Sequence, residues 1–426
     1  MYTPRLDNAL AFIERSLTPY HAQEAAKEML CAHGFSPLSE TQSWKIKKGG
    51  KYYITRGGAL IAFTVGNTER LHFKMTASHV DSPALKLKAN PIMQKDGCAT
   101  LNVETYGGGV WYSFLDRPLK LAGRVIERKE GSLCTRLVEA PYLVHIPSLA
   151  IHQNRTVNEG FAINNQVDLA PVFSLENTNN DFIQTVTSGD VVSYDLYAVS
   201  AQTPYFFGQD NALIASPRVD NLTSAYASLE ALCSLENQEG ICLTALFHFE
   251  EVGSNSSDGA CGDFLEHTLK RIAYALAFDE AEYFQALACS FLLSVDNAHA
   301  VHPNHPEKSD ITNRTRMGDG VVIKQHAGGS YLTDGLNAAI VTQIFDNAGV
   351  KHQTFFNRSD LRSGSTLGKF ALTRTGVYGA DIGMAQLAMH ASCECFAAED
   401  YTALSNGIYA FYDCNFIVDE TGIRLL

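Results

Sequence analysis

A change of texture along the chain constrains this fold more than any other feature. Over residues 5–34 apolar positions recur at helical spacing (Leu6, Leu10, Ile13, then Ala22, Ala25, Ala26, Met29, Leu30) and stop at Gly34. That pattern predicts one or two amphipathic helices. Three candidate strands follow at 52–55, 59–65 and 71–77, punctuated by Gly57-Gly58 and Gly66-Asn67. From about residue 90 to 210 the helical period vanishes, and short β-prone runs at 100–106, 121–126, 142–146 and 191–199 are separated by Gly, Asn and Pro. Alternation then resumes, with helices at 222–235, 264–277, 336–347 and from 398, and strands at 241–249 and 289–295. Such alternation on both sides of a β-rich middle predicts a discontinuous α/β domain (residues 1–89 and 213–426) carrying an inserted module (residues 90–212). A chain of 426 residues is also long for one core.

Charge and thiol usage exclude several function classes. The formal net charge is -13, and no basic cluster stands out beyond Lys45-Ile-Lys-Lys48, which argues against a nucleic-acid partner. The ten cysteines are scattered without a C-x-x-C pair, and the start Met1-Tyr-Thr-Pro-Arg5 lacks the pattern of a secretory signal. Both point to a reducing cytoplasm. No apolar run approaches membrane-spanning length, so no membrane partner is expected.

The chemistry is concentrated where strands end. The run from Leu243 finishes abruptly in Glu250 and Glu251 before Gly253 breaks it, and two carboxylates at the lip of a buried strand are costly unless a cation or a proton lies between them. Three more polar bursts sit at candidate strand ends: His79-Val-Asp81, Arg218-Val-Asp220-Asn221 and Ser294-Val-Asp296-Asn297; Met389-His390 lies near the C-terminus. Two histidines and several carboxylates suit a pair of divalent ions of borderline softness, zinc above all, with cobalt or manganese as substitutes. Asp81 is spaced to accept from the second ring nitrogen of His79. The run Gly364-Ser-Thr-Leu-Gly368-Lys369 is one residue short of a phosphate loop, and Phe370 stands where a hydroxyl is needed.

These residues, together with Pro19-Tyr-His-Ala22, Gly50-Lys-Tyr-Tyr-Ile-Thr-Arg56, Tyr106-Gly-Gly-Gly-Val-Trp111, Ile146-Pro-Ser-Leu-Ala-Ile-His-Gln153 and Gln386-Leu-Ala-Met-His390, run in one order along nearly the whole chain. In that order they resemble the aspartyl aminopeptidase-type dinuclear zinc exopeptidases. The resemblance implies an α/β/α catalytic domain with an inserted β-rich dimerisation domain, and dimers that assemble to a dodecamer. It implies that His79, Asp220 and Asp296 hold one ion, and that Asp220 bridges to a second held by Glu251 and His390. Glu250 is then the general base and Asp81 the partner that orients His79. His152 matches a position that reaches into a neighbour's active site, and Lys324 one that reads an acidic side chain on a peptide with a free N-terminus. Gly328-Gly-Ser-Tyr331 and Arg362-Ser363 depart from the family pattern, which leaves a neutral side chain as the alternative preference. Two rival functions share the ligand set: a dinuclear-metal deacylase or carboxypeptidase, and a non-catalytic assembly or cargo protein.

Overall fold

The structure, a computed structural model, describes residues 2–176, 182–236, 238–419 and 422–425. The chain opens with α1 (Leu6–Arg15) and α2 (Pro19–Ala32). Pro19 starts α2 where its missing N–H costs nothing, and Gly34 follows its end with a φ of 81°. Strands β1 (Ser36–Pro37), β2 (Lys51–Arg56), β3 (Ala59–Val65) and β4 (Phe73–His79) come next.

The middle of the chain closes on itself. Strands β5 (Ala84–Lys95), β6 (Cys98–Tyr106), β7 (Pro118–Lys129), β8 (Ser132–His145), β9 (Val172–Leu175) and β10 (Val191–Ser200) form a closed barrel in the order β10-β5-β6-β9-β8-β7, with a short helix α3 (Phe182–Val186) against it. Leu85, Leu101, Val125, Val138 and Leu196 fill its interior.

The chain then returns to α/β architecture. It runs through β11 (Tyr205–Phe207), β12 (Leu213–Ser216), α4 (Val219–Cys233), β13 (Ile241–Phe247), α5 (Phe264–Ala275), α6 (Glu280–Ala288) and β14 (Phe291–Val295). It ends through β15 (Ala298–His299), β16 (Val321–Lys324), α7 (Gly335–Asn347), β17 (His352–Phe355), α8 (Gly368–Thr375), β18 (Tyr378–Gly383), β19 (Ala385–Leu387), β20 (Glu394–Ala397), α9 (Ala398–Asp413) and a terminal hairpin.

A nine-stranded sheet, β1-β2-β3-β13-β4-β14-β18-β16-β17, organises this half. Strands β13, β4, β14 and β18 run parallel, so their carboxyl ends share one edge. Helices cover both faces. Leu60, Ala62, Cys242 and Leu246 pack on one side with α1, α2, α4, α7 and α9, while Ile61, Phe63, Leu243 and Phe247 pack on the other with α5, α6 and α8. Burial on both faces explains why β13 and β14 are apolar almost throughout. The expected α/β/α layering is what the chain adopts. A second sheet, β11-β12-β20-β19-β15, lies beside the site.

Candidate metal centre

The shared edge of the parallel strands is where ligands bind in open α/β sheets, and each polar burst arrives there by register. Phe247 of β13 pairs with His79 of β4, which sets the turn Glu250–Val252 beside that imidazole. Asp296 follows the last residue of β14, Asp220 opens α4, and His390 sits in the loop between β19 and β20.

Asp220 is the hub. Its Oδ1 lies 3.5 Å from Nε2 of His79, and its Oδ2 lies 3.1 Å from Nε2 of His390. Asp296 Oδ1 is 3.7 Å from His79 Nε2, and Glu251 Oε1 is 3.4 Å from His390 Nε2. Both imidazoles are held in the tautomer a ligand needs. Nδ1 of His79 donates to the carbonyl of Asp81, and Nδ1 of His390 donates to the carbonyl of Gly108, each at 3.0 Å, so each Nε2 faces the acids.

The adjacent acids differ in setting. The side chain of Glu251 is 3% exposed and Glu250 15%, so only Glu250 opens toward the cleft. Burial, with Asp296, Asp81 and Asp220 nearby, pushes the Glu250 carboxyl up to about 8 against the pull of His79. Burial and Asp220 likewise raise Glu251 well above the carboxylate range. Burial alone would lower both imidazoles. The carboxylates of Asp220, Asp296 and Asp81 instead carry His79 well above its ordinary value, and Glu251 and Asp220 carry His390 to about 11. So many acids and imidazoles in one dry pocket hold protons unless a cation replaces them.

A family model described as Aminopeptidase I zinc metalloprotease (M18) matches residues 12–412. The chain belongs to the M18 zinc aminopeptidases. A probable M18 family aminopeptidase 2 of Clostridium novyi is 38% identical over 411 residues, which are 92% of this chain and 94% of that protein. Another from Streptomyces avermitilis is 37% identical over 423 residues, 96% and 97% of the two chains. Among solved structures, the one titled as the Ape4 and Nbr1 complex superposes with a TM-score of 0.90 at 31% identity, covering 95% of this chain and 85% of that one. The S. cerevisiae mApe1 dodecamer superposes with a TM-score of 0.80 at 26% identity, covering 96% and 97%. Membership makes the chain a zinc-dependent peptide hydrolase.

The donor set of this M18 aminopeptidase fits the metal its family name implies. Ligand atoms of His79, Asp220 and Glu251 lie within 4.8 Å of one another. Asp220 Oδ1 and Glu251 Oε1 are buried without a hydrogen-bond partner, as oxygens reserved for a cation would be.

Three expected site residues sit in surroundings the sequence does not announce. The carboxylate of Asp81 does more than face His79, from whose Nδ1 it lies 3.6 Å. It accepts the backbone N–H groups of Glu250 (3.2 Å) and Glu251 (3.1 Å) and the hydroxyl of Tyr106 (2.8 Å). It therefore orients the Glu250–Glu251 turn, which Phe249 enters with a φ of 64°. Lys324 is buried, and its ammonium donates to the carbonyls of Asp296 (2.8 Å) and Asn297 (3.2 Å), which ties it to the segment that carries Asp296. His152 lies in an exposed turn of the long loop between β8 and β9, and the structure does not bring it to the centre of its own chain.

Two residues of the site escape sequence reasoning. Tyr106 ends barrel strand β6, and its hydroxyl reaches Asp81. Glu394, buried at the start of β20, accepts from the backbones of both Asp220 and His390. Tyr106 opens a motif whose glycines draw the eye, whereas Glu394 between Cys393 and Cys395 carries no motif.

Proposed function

We propose that this M18 enzyme is a two-zinc aminopeptidase that releases the first residue from peptides with a free N-terminus. The observation that carries this reading is the Asp220 carboxylate, which presents one oxygen to His79 and the other to His390. His79, Asp220 and Asp296 would hold one ion, and Asp220, Glu251 and His390 the other. When bound, the ions supply Lewis acidity that polarises the scissile carbonyl and acidifies a water. Glu250, the acid open to the cleft, takes the proton from the attacking water and returns it to the departing amine. Asp81 keeps Glu250 aimed by gripping its N–H, and Asp296 is braced from beneath by Lys324.

An acidic first residue is the favoured substrate in this reading, and the preference is modest. Two of the three N–H donors of Lys324 already serve carbonyls, and its side chain is buried. The barrel is a dimerisation domain inserted into the catalytic domain, with His152 presented to a neighbour. The exposed Tyr112, Leu149, Phe161 and Val167 around the loop that carries His152 support a face meant to be covered. A dodecamer is the assembly this supports, as named for the yeast relative. Ten unpaired thiols support a reducing compartment such as the cytoplasm, and among the described residues no helix is long and apolar enough to cross a membrane.

The deciding experiment is Glu250→Gln, with bound zinc measured alongside activity. We expect two ions per chain and a loss of turnover of about 10²–10⁴-fold. Near-normal turnover in the metal-loaded variant would show that another group is the base. Equal rates on N-acetylated and free-amine peptides would show that the enzyme is not an aminopeptidase.

A further inference from the structure

The support beneath the two halves of the centre is unequal. On the His79 side the brace is Asp81, which accepts His79 on its carbonyl and the Glu250–Glu251 turn on its carboxylate. On the His390 side it is Glu394. Its Oε2 accepts the N–H of Asp220 at 3.1 Å, and its Oε1 accepts the N–H of His390 at 2.7 Å and the side-chain amide of Gln386 at 3.2 Å. Gln386 in turn accepts from Asn297, the neighbour of Asp296, at 2.9 Å. Glu394 thus reaches Asp220 and His390 directly and Asp296 only through two intermediates. None of its hydrogen bonds is to His79.

The loop it anchors needs anchoring. Ala388 and His390 both have left-handed backbones, with φ of 58° and 67°. Non-glycine residues persist there only where their surroundings enforce it. An acceptor-only side chain is what this place requires, because N–H donors approach both of its oxygens, and an amide would turn an NH₂ toward one of them.

We propose that Glu394 is a positioning residue for the second ion: by holding the backbones of Asp220 and His390 on one carboxylate, it sets the spacing of the Asp220–Glu251–His390 half of the centre. The proposal rests on the two-ion reading, and one titration separates the two. Metal-free wild type and Glu394→Gln are titrated with Co²⁺, read by calorimetry and by the visible absorption of the bound ion.

Wild type should take up two ions per chain. The variant should bind the first ion with the smaller loss, since Asp220 serves both, and the second about 10–100-fold more weakly, with the larger spectral change at that second ion. Two ions at wild-type affinity in the variant, or both weakened alike as a general folding defect would do, overturns the proposal while leaving the two-ion reading intact. A wild type that takes up only one ion overturns that reading and this proposal with it. Should Glu394→Gln fail to fold, Gln386→Met strips one donor from the carboxylate without touching its charge. It must show the same selective weakening, and unchanged affinity for both ions in it overturns the proposal.

Discussion

The nine-stranded sheet and the barrel use β-structure in opposite ways. Strands β3, β4, β13 and β14 are buried at every residue. In β6 of the barrel, buried and partly exposed positions alternate through Val103. A strand packed on both faces has no side on which a polar group can work, so its chemistry is displaced to its end. His79, Glu250, Glu251 and Asp296 stand just there. Barrel strands have a wet face along their length, yet the barrel's contribution to the site comes from its rim, through Tyr106 and Gly108. One region supplies the proposed ligands, and the rim of the other helps to set their posture.

Metal removal should separate the two regions most sharply. A ligand present at about a thousand times its Kd stabilises the native state by about 4 kcal/mol. Chelation should therefore lower the melting temperature and strip hydrogen-exchange protection from the 250–252 turn and the 388–393 loop. The amides of β7 and β8 should keep theirs, and equal loss in the barrel would erase the distinction. Next in size are paired core truncations, Leu243→Ala in the sheet and Leu121→Ala in the barrel, both fully buried. Each should cost about 2–5 kcal/mol in denaturant unfolding. Only the first should also reduce bound zinc; loss of zinc from the barrel variant would show that its core, not its rim, supports the centre.

Tyr106→Phe tests the rim itself. Removing one donor from the buried Asp81 should lower kcat about tenfold, with little change in KM and both ions retained. A wild-type kcat would reduce Tyr106 to packing.

Asp258→Asn should have the smallest effect. Asp258 accepts from the N–H of Gly58 at 2.9 Å and from Ser256 at 3.0 Å and lies 3.3 Å from His248. Burial would raise its carboxyl, but His248 and the Gly58 N–H win and hold it at about 2. A depressed carboxyl stabilises the fold above its unfolded value near 4, and that stabilisation fades as pH falls through about 2. The variant should be weaker by about 1–2 kcal/mol at neutral pH. The gap in melting temperature should close in acid; a gap that widens there would reverse the assigned sign.

Periodicity anticipated part of the α/β half and missed α6, β16, β17, α8 and the parallel strand β18. Strands expected at 59–65 and 71–77 are Ala59–Val65 and Phe73–His79, and the helix expected from 398 is Ala398–Asp413. Barrel strands were legible only in pieces. The run expected at 142–146 is the tail of Ser132–His145, where Pro141 and a largely exposed face hide the period. The acids and His79 were visible because their polar bursts stand where apolar runs end, whereas His390 was joined to them by the family resemblance. What supports them was not, because the partners of Glu394 and Asp81 are mostly backbone N–H groups, and those of Glu394 include one 174 residues away in the chain. A backbone donor has no letter in a sequence.

The bond from His390 to the Gly108 carbonyl carries a consequence for how this protein can be taken apart. An insertion that lends only side chains can be trimmed or replaced residue by residue. Here the insertion lends a main-chain oxygen, which no substitution removes, and that oxygen decides which nitrogen of a distant imidazole stays bare. Excising the barrel and rejoining the ends would leave every proposed ligand in the chain while freeing one of them to turn its protonated edge inward.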